Sequence, residues 1–158
     1  MSVSLLGNIW ARYKPEIIII PPIFAADRIS KILAADFLQP LGSLILAPFF
    51  RLTYVENTGA AFGLFQNGNF FLACLALVIL FFLLKWRADF IKYGQAARCA
   101  VNFIIAGAIA NLYDRIILGY VIDYLDFIIW PVFNIADSFI TTGVVLLFFS
   151  IIKNKREN

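Results

Sequence analysis

The chain has 158 residues, of which 62% are hydrophobic, 16% aromatic and only 15% charged, with a formal net charge of +3. Soluble domains are roughly 45–50% apolar and about a quarter charged, so these departures and a mean hydropathy of +0.87 point to an integral membrane protein and exclude an ordinary soluble domain. Histidine is absent, which excludes Ser–His–Asp and Cys–His catalysis and imidazole-ligated zinc, and the basic residues form no basic–aromatic patch, so no nucleic acid is expected as a partner.

In chain order, the N-terminal segment MSVSLLGNIWARYKPE carries Arg12 and Lys14 but is followed by no small-x-small cleavage site, so it does not read as a signal peptide. A first span is expected over 17–38. Its uninterrupted apolar part, Ile17 to Ala26, is too short to cross alone, so the span must accommodate Asp27, Arg28 and Lys31. Asp27 and Lys31 stand four apart, so on a helix they share a face and neutralise each other. Pro21 and Pro22 would kink such a helix. Residues 39–69 change character: alternation and β-branched or aromatic residues around Arg51 to Val55 predict strand, and GAAFGLF (59–65) predicts a short surface helix among turn residues.

Further spans are expected over 70–86, 99–118 and 133–152, with an outer loop over 119–132. Lys85, Trp86 and Arg87 look like interfacial anchors. Cys74 and Cys99 begin consecutive runs and so fall near opposite faces, too far apart for a disulfide. Arg12, Lys14, Lys85, Arg87, Lys92, Arg98, Lys153, Lys155 and Arg156 all fall on one side of a four-span arrangement, which puts both termini in the cytoplasm and 39–69 and 119–132 outside. The fold class expected is therefore a membrane all-α protein: a four-transmembrane-helix bundle with a small extracytoplasmic β element and a short surface helix, in a single domain, 1–158.

The stretch GYVIDYLDFIIWPVFNIADS, residues 119–138, carries Asp123 and Asp137 near the ends of adjacent spans, at similar depth. Ionisable groups at membrane depth are costly and usually face a cavity or one another. Two neighbouring carboxylates tend to share a proton, which supplies an acid and a base for hydrolysis by water. Asn111 and Asp114 lie three apart on one helix face with Arg115 beside them, Asn134 precedes Asp137 by three, and Asn57, Asp27 and Lys31 fall on the same outer side. Taken singly, each has a plainer use as helix cap, turn residue or ion pair, and the clustering is what suggests a site. A proton-coupled transporter fits poorly, because no internal repeat is present and the carboxylates crowd one face. A Ser–Lys peptidase fits no better: Ser30 and Lys31 are adjacent and diverge on a helix, and Ser138 has no lysine near it in sequence. Nothing in the chain speaks directly for a non-catalytic assembly factor.

The blocks NTGAAFG, GAIANLYDR, VIDY and FNIADS, in that order relative to the spans, resemble those of lipoprotein signal peptidase (signal peptidase II), a bacterial membrane aspartic peptidase. The resemblance runs from Asp27 to about Gly143. It implies an endopeptidase that cuts prolipoproteins just before the diacylglyceryl-modified cysteine, with Asp123 and Asp137 as a catalytic pair and water as nucleophile. It implies that Asn57, Asn111, Arg115 and Asn134 line the site, and that Asp27, Lys31, Gly107, Asp114 and Ala136 support it. The partners implied are the diacylated prolipoprotein substrate and membrane lipids, with no cofactor, no metal and a monomeric state. The implied location is the bacterial cytoplasmic (inner) membrane, with the active site on the extracytoplasmic side. The chain departs from the family in having Ala110 where a glycine often precedes the asparagine, Pro21 and Pro22 in the first helix, and a short loop between the aspartates.

Overall fold

The computed structural model describes residues 2–60 and 64–157, with side chains described from Pro15 to Arg156 within those ranges. Its elements in order are α1 (Ser2–Leu38), β1 (Ser43–Ala47), β2 (Phe50–Asn57), α2 (Asn69–Lys85), α3 (Arg87–Ile91), α4 (Gln95–Ile117), β3 (Val121–Asp126) and α5 (Ile135–Glu157). Helix α1 begins well before the span expected over 17–38 and continues through Pro15, Pro21 and Pro22. Pro21 and Pro22 lie on its exposed side, where their rings displace no packed neighbour.

The polarity of α1 is inverted relative to a soluble helix. Ile23, Asp27, Lys31, Ala34 and Leu38 form the buried stripe, at helical spacing, while Ile29, Ile32, Leu33 and Phe37 face outward. Lys31 is 0% exposed and Phe37 is 65% exposed. That distribution suits a hydrocarbon surround and would be very costly in water. Helices α2 and α5 likewise turn Phe70, Phe81, Phe148 and Phe149 outward. By length and composition, α4 and residues 135–156 are the described helices long and apolar enough to cross a membrane, and the apolar α2 is shorter, at 17 residues.

Helix α4 is the central element: it packs on α1, α2, α3 and α5. Small residues let α4 and α5 approach closely. A Cβ on Gly107 would lie 2.4 Å from the Ala136 carbonyl oxygen, and one on Gly143 would lie 2.7 Å from that of Ala100. Each helix thus contributes one glycine to a backbone-to-backbone contact with the other.

The strands form one antiparallel sheet in the order β1-β2-β3. The strand expected around Arg51 to Val55 is part of β2, but the third strand of the sheet comes from the segment expected to be an outer loop, 119–132. Asp123 therefore sits on a strand, opposite Val55, and not near the end of a membrane helix. Ile122 and Tyr124 pack on Ala34 and Leu38 of α1, and the two-residue alternation turns Asp123 to the other face. The surface helix expected over 59–65 falls in part on residues 61–63, outside the described residues; its flanks are a bend at Gly59 and a turn over Leu64 to Asn67. Helix α3 occupies a connection for which no helix was expected.

Candidate active site

Asn134 and Asp137 begin α5 with a reciprocal cap. Asn134 Oδ1 accepts the Asp137 amide at 2.9 Å, and Asp137 Oδ2 accepts the Asn134 amide at 3.3 Å. The cap orients both side chains at the helix entrance. Asn134 Nδ2 then donates to Asp123 Oδ1 at 2.7 Å and lies 3.3 Å from the Ile122 carbonyl oxygen, tying α5 to β3. Asn111, from α4, donates through Nδ2 to Asp137 Oδ1 at 2.7 Å. Asn57, at the end of β2, donates to Asp123 Oδ2 at 2.8 Å, while its own Oδ1 accepts the Gly59 amide at 2.9 Å. Three asparagines from three elements thus hold both aspartates. Asn134 is at once a helix cap and a link between them.

Beside this group lies a cationic one. Lys31 Nζ donates to Asn111 Oδ1 at 2.8 Å and forms ion pairs with Asp27 Oδ2 at 2.7 Å and Asp114 Oδ2 at 2.8 Å. Asp27 Oδ1 accepts the Ala136 amide at 2.8 Å, and Asp114 Oδ1 pairs with Arg28. The Arg28 guanidinium also lies 4.8 Å above the Tyr113 ring. Two carboxylates and two cations balance, so the helices meet around a neutral cluster. Asp114 Oδ2 also receives the Ile122 amide at 3.5 Å, which brings the cluster to the strand that carries Asp123.

Arg115 lies at the end of α4. Its Nη2 donates to the Gly59 carbonyl at 3.3 Å, and its own carbonyl accepts Asn69 Nδ2 at 3.0 Å. It fastens the loop after β2 to the bundle, and its Nε is buried without a hydrogen-bond partner among the described residues. Gly107 and Ala136 are the close contact between α4 and α5 that sets the depth of the Asp137 end.

Burial and then the neighbouring Asp137 push the Asp123 carboxyl up to about 7, against the partial relief of the Asn57 and Asn134 amides and Lys31. A cavity of about 420 Å³ opens beside Asp123, lined by Glu56, Asn57, Thr58, Gln66, Asn67 and Pro131 among others. Farther along β3, Asp126 ties the strand to β2. Its carboxylate takes Arg51 Nε at 2.6 Å, Thr53 Oγ1 at 3.0 Å and the Ile128 amide at 2.8 Å. These bonds outweigh the desolvation of Asp126 and hold its carboxyl below the usual carboxylate range. They also pin Ile128 at φ +68, a strained backbone for a β-branched residue.

The candidate site residues named from the sequence meet at this end of the bundle. Arg28, Arg51 and Asp126 were not among those candidates. Arg28 stands beside Asp27 in sequence, and Asp126 follows Asp123 by three in VIDYLD, but only the fold shows what each one touches. Cys74 and Cys99 are free thiols. Among the described residues, no three or more Asp, Glu or Cys side chains gather as a metal centre would require.

A family model described as signal peptidase (SPase) II, peptidase A8, matches residues 19–153. The lipoprotein signal peptidase of Caldanaerobacter subterraneus subsp. tengcongensis is 42% identical over 135 residues, covering 83% of this chain and 91% of the relative. That of Thermodesulfovibrio yellowstonii is 42% identical over 137 residues, covering 83% and 90%. That of Alteromonas mediterranea is 39% identical over 139 residues, covering 83% and 76%. Two solved structures, each described as a bacterial membrane enzyme determined by the in meso method, are both 29% identical to this chain. One superposes with a TM-score of 0.81 over 90% of either chain, the other with 0.74 over 87% of this chain and 92% of its own. With its mostly helical fold, small sheet and outward apolar faces, the chain belongs to the signal peptidase II family of membrane proteases.

Proposed function

We propose that this chain is an aspartic endopeptidase that removes the signal peptide from diacylglyceryl-modified prolipoproteins, cutting just before the lipidated cysteine, with Asp123 and Asp137 as its acid–base pair and water as its nucleophile. The observation that carries the reading is that both carboxylates are held by neutral amides, with Asn134 donating to each of them. The amides orient each carboxylate without an opposing full charge in contact, and an Asp123 carboxyl raised by burial and Asp137 to about 7 suits proton sharing at neutral pH.

In the cycle proposed, the ionised partner takes a proton from water as the oxygen attacks the scissile carbonyl carbon. The protonated partner donates a hydrogen bond to the carbonyl oxygen. The tetrahedral intermediate then collapses as a proton passes to the departing amine of the cysteine. No covalent enzyme intermediate and no cofactor enters this scheme. Asn57, Asn111 and Asn134 keep the two carboxylates in register, and Arg115 holds the loop that borders the cavity.

The same proposal includes four membrane-crossing segments, taken from α1, α2, α4 and α5, in one domain acting as a monomer. The outward apolar faces of all four support it, although α2 is short and α1 carries charge on its inner face. The one-sided distribution of Lys and Arg supports cytoplasmic termini and an extracytoplasmic active site in the bacterial inner membrane. A site at the end of the bundle lets the acyl chains of the substrate stay in lipid while its peptide reaches Asp123.

Purified protein should release the signal peptide from diacylated prolipoprotein and leave the unlipidated precursor intact. Asp123→Asn and Asp137→Asn should fold and bind the substrate but fail to cleave it. Near wild-type turnover by either variant would end the dyad reading.

A further inference from the structure

At the end of the bundle away from the aspartates, two cavities share one side chain. The first, of about 400 Å³, is lined by Phe149, Ile152, Lys153 and Arg156. The second, of about 350 Å³, includes Lys92, Tyr93, Ser150, Lys153 and Asn154 in its lining. Lys153 borders both. It lies roughly 24 Å along α5 from Asp137, at ~1.5 Å per residue, so these cavities play no part in the cleavage proposed above.

Phe149, Ile152, Lys153 and Arg156 follow the i, i+3, i+4, i+7 spacing of one helix face. Along that face the chemistry changes within two turns, from an aromatic and an aliphatic side chain to two cations. Phe149 is 61% exposed, on the side where the neighbouring surface of α5 is also apolar. An apolar wall running directly into cations is what the glycerol–phosphate region of a phospholipid requires: acyl chain on one side, phosphodiester on the other. The second cavity adds Lys92 with the polar groups of Tyr93, Ser150 and Asn154. Among the described side chains, the Asp89 carboxylate stands 3.8 Å from Lys92, with both side chains mostly exposed. Glu16, by contrast, is already engaged by Arg87 and Arg98. At the far end of α2, Lys85 lies 5.5 Å from the centre of the Trp86 ring, an arrangement suited to the membrane–water boundary.

We infer that the paired cavities around Lys153 bind the headgroup of an anionic phospholipid, with the phosphodiester on Lys153 and Arg156 and the start of an acyl chain against Phe149 and Ile152. The occupant is lipid because the apolar wall is continuous with the outward face of α5, which a free phosphate would leave unused.

The test is native mass spectrometry of the full chain released from micelles containing equal amounts of phosphatidylglycerol and phosphatidylcholine. Wild type should retain phosphatidylglycerol preferentially. Lys153→Gln and Arg156→Gln should each lower that retention about fivefold, the scale expected for one basic residue at an anionic surface. Lys155→Gln makes the same change of charge on a residue that lines neither cavity, and it should retain the lipid as wild type does. Equal loss in Lys155→Gln would reduce the effect to net charge and overturn the site, as would equal retention of the two lipids by wild type. Displacement of phosphatidylglycerol by inorganic phosphate alone would overturn the lipid assignment. Cleavage in detergent by the Lys153 and Arg156 variants should match wild type, which separates a lost lipid site from a lost fold.

Discussion

Two groups of carboxylates sit side by side in this bundle and are treated in opposite ways. Asp27 and Asp114 are paired with Lys31 and Arg28. Asp123 and Asp137 are held by Asn57, Asn111 and Asn134. A buried carboxylate and its cation hold each other in place, because removing either one strands the partner. An amide donor also favours the carboxylate but brings no opposing charge, and at Asp123 burial and Asp137 outweigh it. The first arrangement holds helices together, and the second keeps a proton available. Asn111 belongs to both groups: Lys31 donates to its Oδ1 while its Nδ2 donates to Asp137. The cationic cluster therefore fixes which way that amide points, and through it one carboxylate of the pair.

The sharpest way to break the comparison is to remove each kind of carboxylate function in turn. Asp123→Asn and Asp137→Asn should each lower cleavage of diacylated prolipoprotein by about 10³-fold, within the range for general acid–base catalysis. The double variant should be scarcely slower than either single one, since residues acting as a unit are non-additive. Additive losses in a single-turnover assay would argue against a shared role.

Next in size is the cationic cluster. Lys31→Met leaves Asp27 and Asp114 facing each other with less compensation and should cost about 3–5 kcal/mol of stability. Thermal unfolding in detergent would show it, and adding Asp27→Asn should recover part of the loss. A Lys31→Met protein that unfolds like wild type yet turns over nothing would move Lys31 into the chemistry.

Smaller still is Gly107→Ala. The added Cβ would meet the Ala136 carbonyl oxygen at 2.4 Å, so the start of α5 must shift, for about 1–3 kcal/mol. Because that shift moves Asp137 and leaves Asp123 on its strand, turnover should fall more than substrate binding does. A KM-dominated effect would contradict this.

The mildest prediction concerns pH. The folded protein holds the Asp123 proton more tightly than the unfolded chain does, since its carboxyl is pushed from 3.8 to about 7. The stability this group contributes is therefore complete below its unfolded pKa and is lost as pH rises through about 7. Asp123→Asn should flatten that dependence in melts between pH 5 and 8. The rate should decline on the same limb, by about tenfold for each pH unit above it. A rate still flat at pH 9 would show that the protonated form is not needed.

Much of this was legible in the sequence because helices are local objects. Helices α2, α4 and α5 fall close to the apolar runs 70–86, 99–118 and 133–152, and the Asp27–Lys31 pair follows from helical spacing. The ordered blocks around Asn57, Asn111, Asp123 and Asp137 named the candidate residues without any coordinates. Strand pairing is not local. VIDYLD lies between two apolar runs and reads as a connection, because nothing within it says that Asn57 and Val55 wait opposite Val121 and Asp123. The same limit hid the union of Arg28 with Asp114 and of Arg51 with Asp126, whose partners lie far apart along the chain. The sequence by itself determined which carboxylates, amides and cations this protein possesses and which faces of its helices are apolar. Only the tertiary structure decided which carboxylates received cations and which received amides, because that choice depends on the close α4–α5 contact at Gly107 and the third strand that carries Asp123.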